Sequence, residues 1–191
     1  MRVPALRPEQ LDAAQTALYD SIARGPRAAG PQHFALTRDD GSLAGPFNAF
    51  LLSPEIGSAV QALGAGVRYA TAFTAREREL GILVVAAHWN SAFEQHAHES
   101  VARAAGLGEE LLAELRAGRL PELDDPREHL VTRVAHALAH GDVDDALWAD
   151  AAAQLGLPLL FELSTLVGYY ALLALQLRVF RVDDADPLSR H

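Results

Sequence analysis

Cysteine is absent from the 191 residues. That absence removes disulfides, thiolate metal sites, thiol nucleophiles and thiol redox cycles together. Positive charge is scarce too. Sixteen basic residues face 25 acidic ones, for a formal charge of −9, and no Lys/Arg block occurs. Nucleic-acid binding draws much of its affinity from phosphate neutralisation, so no nucleic-acid partner is expected. The stretch from Met1 to Leu11 has no apolar run, so no signal peptide is expected and the expected location is cytoplasmic. Between Glu162 and Arg178 lie fifteen uncharged residues, among them Ser164, Thr165 and Gln176. A membrane span needs about 20 apolar residues. The stretch therefore reads as a helix buried in a core or a subunit interface, with no membrane partner.

Alternating β-type patterning is also missing, while Ala and Leu abound. Half the residues are apolar and 21% are charged, enough to bury a real core. The expected fold class is all-α. The expected organisation is a single domain over 1–191, with an N-terminal arm and loop over 1–45 and a helical core over 46–182.

Helix punctuation is dense. A helix is expected from Pro8 to Arg24, then a Gly/Pro-rich loop from Gly25 to Gly45 of the kind that often serves binding. A short helix is expected over Pro46 to Leu52. Ser53-Pro54 reads as a cap with proline at the first helical position, opening a helix to about Tyr69. Thr74-Ala-Arg-Glu77 is a capping box, and the helix it opens is almost wholly apolar from Leu80 to Ala87, hence buried. Trp89-Asn90-Ser91 reads as a turn, and the next helix stops at Gly106. Further helices are expected over Glu109 to Ala117, Pro126 to His140, Asp142 to about Leu155, and from Gly156-Leu-Pro158 to near Phe180. The tail from Asp183 is polar and expected to fray. A faint echo at a spacing of 68 would align Thr74 with Asp142 and Glu94 with Glu162.

The segment from His88 to His98 concentrates the chemistry. Glu94 and His98 are four apart and share a helix face. A carboxylate beside an imidazole can pass protons near neutral pH; a surface pair of no functional weight has the same spacing. His96 points about 160° away from Glu94 on a helix, which disfavours a Glu94, His96, His98 metal set, and no HExxH occurs. No metal and no cofactor are expected. His129, His136 and His140 flank an apolar stripe and read as boundary positions. Of the charges opening the apolar helix, Arg76 to Glu79, one Glu turning inward to orient a histidine is the functional reading, and a solvated, dipole-matched helix start is the structural one. Glu162 needs a partner, an Arg ion pair being the expected one.

These residues resemble a known family. Thr74-Ala-Arg-Glu-Arg-Glu79-Leu-Gly-Ile-Leu83, Trp89-Asn-Ser91, Phe93-Glu94, His98 and Ala104-Ala-Gly-Leu107 are similar to the carboxymuconolactone decarboxylase family, which shares its helical bundle with the alkylhydroperoxidase AhpD. The likeness runs best over Pro46 to Leu107 and more loosely to Gly168-Tyr169-Tyr170. In the peroxidase branch a Cys-x-x-Cys-x-x-x-His motif works with a Glu on the preceding helix. Here the two cysteine positions are Ser91 and Glu94, so thiol peroxidase chemistry is excluded. The motif histidine falls on His98 and the helper acid on Glu79.

The resemblance to the cysteine-free branch implies a cofactor-independent carbon–carbon lyase, or an isomerase, acting on a small cyclic or aromatic-derived carboxylated substrate in aromatic compound catabolism. His98 would donate the proton, Glu79 would orient it, and Glu94 would be a second acid/base. Arg76 or Arg78 would hold a substrate carboxylate. Phe47, Asn48, His88, Trp89 and also His33 would line the pocket. It also implies a homo-oligomer, a trimer or hexamer. A non-catalytic ligand-binding oligomer and a metal-dependent enzyme are the alternatives.

Overall fold

The apolar run beginning at Leu80 lies at the centre of the molecule. In the computed structural model, which describes residues 2–25 and 35–182, it forms most of a helix over Ala75–Trp89. The helices in chain order are α1 (Ala13–Ala23), α2 (Phe47–Phe50), α3 (Pro54–Tyr69), α4 (Ala75–Trp89), α5 (Ala92–Ala104), α6 (Glu109–Arg116), α7 (Pro126–Ala139), α8 (Asp145–Gln154) and α9 (Leu157–Phe180). Among the described residues the only β-type pairing is an isolated bridge between Thr37 and Leu43. The chain is all-α, as its composition implies.

Helix α4 packs against α5, α6, α7 and α9 at once, so it has no solvent face over its middle turns. Every residue from Glu79 to Ala86 is buried. Gly81 permits close approach of α9: a Cβ there would lie 3.3 Å from a Leu166 methyl. The capping box forms as the spacing dictates. The Thr74 hydroxyl accepts the Glu77 N–H at 3.1 Å, and the Glu77 carboxylate accepts the Thr74 N–H at 2.8 Å. At the other end Asn90 adopts φ 49°, the left-handed conformation that Asn tolerates and that terminates helices. Chain reversal there lays α5 back along α4. This reversal brings the buried face of α5 against the acid-bearing first turns of α4.

Several boundaries differ from expectation. Pro8 to Arg24 is not one helix. A 3-10 turn covers Pro8–Gln10, and Asp12 restarts the chain as α1 by a reciprocal box with Gln15. Pro54 opens α3, but the Ser53 hydroxyl makes no cap bond. The cap of α8 is Asp144, which accepts the Leu147 N–H at 2.9 Å, not Asp142. That two-residue shift dissolves the 68-residue echo. Glu94 is buried on α5, whereas Glu162 is half-buried and accepts the Ala72 N–H at 2.8 Å, with no Arg partner among the described residues.

Helix α9 also corrects the length argument. It runs 24 residues, long and apolar enough to cross a membrane by those measures, because Leu157–Phe161 adds a further apolar turn on the N-terminal side of Glu162. Half of its apolar window is buried inside the fold, against α4, α7 and α3. Packing, not length, makes it a core helix. His33 and the tail from Asp183 lie outside the described residues.

Candidate active site

Two buried carboxylates reach one buried imidazole from different helices. Glu79 on α4 is 2% exposed, Glu94 on α5 is 3% exposed, and His98, one turn after Glu94, is 5% exposed. His98 Nδ1 meets Glu79 Oε2 at 2.7 Å. Its Nε2 lies 3.4 Å from Glu94 Oε2. A buried carboxylate is costly to leave without compensation, and here two of them converge on one ring. The close Glu79 contact fixes the ring orientation, while the Glu94 contact lies at the outer limit of a hydrogen bond.

Aromatic residues from α9 close the other side. The Tyr170 ring meets the His98 ring edge-on at 5.1 Å, and Tyr169 meets Tyr170 at 5.3 Å. Burial pushes the Tyr170 phenol well above its ordinary range, and the charges of Glu94 and Glu79 push the same way. Tyr170 therefore stays a neutral hydroxyl at any ordinary pH. Tyr169 fits only because α3 carries Gly64. A Cβ there would lie 2.1 Å from the Tyr169 hydroxyl. Arg68, one turn further along α3, lines the same pocket, with Pro46, Phe47, Phe93 and Leu173 as its apolar walls. The free interior is about 20 Å³, the space of roughly one water.

Other residues singled out in the sequence lie elsewhere. Arg76 faces α7, where it grips both oxygens of Glu128 at 2.6 and 3.0 Å, and it also donates to the Gly106 carbonyl. Its fork is committed to holding helices together. Arg78 stays near the acids, with Nε 3.8 Å from Glu79 Oε1. Phe47 lines the pocket, but Asn48 next to it does not. Its buried amide accepts the Leu6 N–H at 3.0 Å and donates to the Pro4 carbonyl at 2.8 Å, tying down the N-terminal arm. His88 and Trp89 are nine and ten residues beyond Glu79 on α4, about 13 Å along the axis, and His88 is half a turn around it. Trp89 instead stacks under Arg178, 5.4 Å from ring centroid to guanidinium. His96 is exposed. Among the described residues no set of three His, Asp or Glu side chains is disposed to hold a metal ion.

Sequence reasoning missed Arg68, Gly64 and the placement of the two tyrosines. Adjacent tyrosines in an otherwise aliphatic helix were the available signal for the last. Nothing local marks Gly64 or Arg68, because their role depends on which helix crosses α3.

Residues 54–137 match the model of the carboxymuconolactone decarboxylase family, so this segment carries that family's pattern. The match runs from the start of α3 to within α7 and includes Glu79, Glu94 and His98; Tyr169 and Tyr170 lie beyond it. No curated protein matches the chain.

Proposed function

We propose that this carboxymuconolactone decarboxylase family domain is a cofactor-independent lyase acting on a small, unsaturated, carboxylated cyclic substrate. The observation that carries the reading is His98 held between Glu79 and Glu94 in a nearly dry pocket. In such a reaction the bond to the substrate carboxylate breaks and CO₂ leaves. The electron pair passes into a conjugated carbonyl, giving an enolate. A protonated His98 then delivers its Nε2 proton to carbon, and a proton from water returns to the ring by way of Glu94. Glu79 holds the ring through Nδ1. Tyr170 supplies a neutral hydroxyl near the developing charge, and Arg68 is the cation on the pocket wall for a substrate carboxylate. Substrate entry requires Phe47 and Phe93 to swing aside, since the interior as it stands takes only about one water.

The same narrow interior favours a second reading, a ligand-binding oligomer without catalysis. Either reading involves a second copy of the chain. Ile56, Leu157 and Phe161 are 62–73% exposed, and exposed apolar residues of this size favour assembly. A monomer by light scattering would reject the oligomer.

The deciding experiment mixes wild-type protein, Glu94→Gln and His98→Ala with γ-carboxymuconolactone and follows ultraviolet absorbance and CO₂. Turnover in the wild type, reduced roughly 10²–10⁴-fold in each variant, is the expected result. Equal turnover in all three would reject the mechanism. Saturable wild-type binding with no product would favour the ligand-binding reading.

A further inference from the structure

On the opposite face of α4 from Glu79, three histidines meet around a second and larger cleft. His88 stands near the C-terminal end of α4, His136 in the last turn of α7, and His140 caps α7. The His88 and His140 rings meet edge-on at 4.5 Å, and the His136 and His140 rings are 4.2 Å apart. Arg119, in the chain following α6, completes the polar lining. The floor is apolar, built from Val84, Leu115 and Leu120, and the free interior is about 240 Å³. That space admits an organic molecule, where the Glu79–His98–Glu94 pocket admits roughly one water.

We propose that this cleft binds a small organic carboxylate with an apolar body, its charge on the histidines and Arg119 and its body against the floor. The charge inventory carries the choice of ligand. From α4 the facing titratable group is His88; from α7 they are His136 and His140; from the chain beyond α6 it is Arg119. No carboxylate lines the cleft. Glu114 of α6 is held on Arg119 at 2.7 Å, so an incoming carboxylate competes with Glu114 for one guanidinium.

The ring geometry leaves a histidine nitrogen available to an anion. His140 Nδ1 is 2.7 Å from the His136 carbonyl. The carbonyl can only accept, so Nδ1 carries the proton and Nε2 remains as the second nitrogen. Burial, and then the neighbouring His140, lower the pKa of His88; burial, His140 and His88 lower that of His136. Both shifts favour the neutral imidazole at His88 and at His136. A bound anion reverses this by favouring imidazolium, so binding takes up protons and strengthens as pH falls through the histidine range. This inference does not rest on the proposed lyase reaction.

The test is isothermal titration calorimetry with benzoate, at about pH 6 and about pH 8, between which the probe stays ionised. The variants are the doubly substituted His136→Ala/His140→Ala, and His98→Ala as a report on the other pocket. Circular dichroism checks that each folds. Saturable binding at the lower pH is expected, weakened by roughly tenfold or more in the histidine double variant and unchanged in His98→Ala. Wild-type affinity should fall about tenfold at the higher pH. The observed heat should vary with buffer ionisation enthalpy, as proton uptake requires. Unaltered binding in the double variant, loss in His98→Ala instead, insensitivity to pH, or no saturable binding at the lower pH would each overturn the proposal.

Discussion

Helix α5 buries two acids five residues apart, Glu94 and Glu99, in opposite electrostatic settings. Glu99 is clamped by arginine. Arg116 grips it at 2.8 and 2.7 Å, and Arg103 adds a bond at 3.0 Å. Burial pushes the Glu99 carboxyl up, but Arg116, Gln95 and Arg103 outweigh that and hold it below its ordinary range. Glu77 with Arg127 and Glu128 with Arg76 repeat the pattern on α4 and α7. Glu94 instead faces the imidazole of His98, which Glu79 already holds. An arginine never gives up its proton in a protein, so the clamped acids are fixed charges that join helices. A histidine can exchange its proton near neutrality, so the other cluster can do chemistry. The difference between the clamped carboxylates and those of the candidate site is the identity of the partner.

The sharpest way to break the comparison is to alter each partner set in turn. His98→Ala should cost roughly 10²–10⁴-fold in turnover, while Glu99→Ala should leave turnover within about threefold and lower stability instead. The loss for Glu99→Ala should be about 1–3 kcal/mol by urea denaturation, the range for removing a charged hydrogen-bonding partner. Arg103 and Arg116 are about half exposed, which places the result toward the low end. Equal loss of turnover in both variants would erase the distinction.

Gly64→Ala tests the pocket wall. Its Cβ would collide with the Tyr169 hydroxyl, so a stability loss of about 1–3 kcal/mol is expected from overpacking. A shifted tyrosine absorbance should accompany it. An unchanged melting temperature would mean that Tyr169 packs elsewhere.

Smaller effects should appear in the pH dependence, with opposite signs in the two regions. The Glu99 carboxyl is depressed in the folded state, so its stabilisation is present above the ordinary carboxylate range. It is lost as pH falls through the depressed value, and Glu99→Gln should flatten that acid limb. The Tyr170 phenol is raised, so its contribution is intact below about pH 10 and is lost as pH climbs from there through the folded-state value. Tyr170→Phe should remove that alkaline loss in thermal melts. An acid limb unchanged by Glu99→Gln, or an alkaline limb unchanged by Tyr170→Phe, would reject the assignment concerned.

Much of the fold was legible in local signals. Thr74-x-x-Glu77, the apolar stretch after it, and Asn90 and Gly106 at helix ends act through contacts within one or two turns, so the residues near them in sequence suffice. The i,i+4 spacing of Glu94 and His98 was legible for the same reason. Its ambiguity was equally plain, because a solvated pair and a buried one have identical spacing.

What the amino-acid sequence determined by itself was the all-α class, the central buried helix, the exclusion of thiol chemistry and the likeness to a known family. Tertiary structure alone decided which acids face an imidazole and which face an arginine. Arg76 and Arg78 are two residues apart, yet one faces Glu128 and the other Glu79, because each residue turns about 100° around the helix and the neighbours differ on each side. Asn48 went to the N-terminal arm and His88 to a separate cleft by the same rule. A side chain's partner depends on which helix crosses its face, and that crossing is set by the packing of the whole core rather than by any local run of residues.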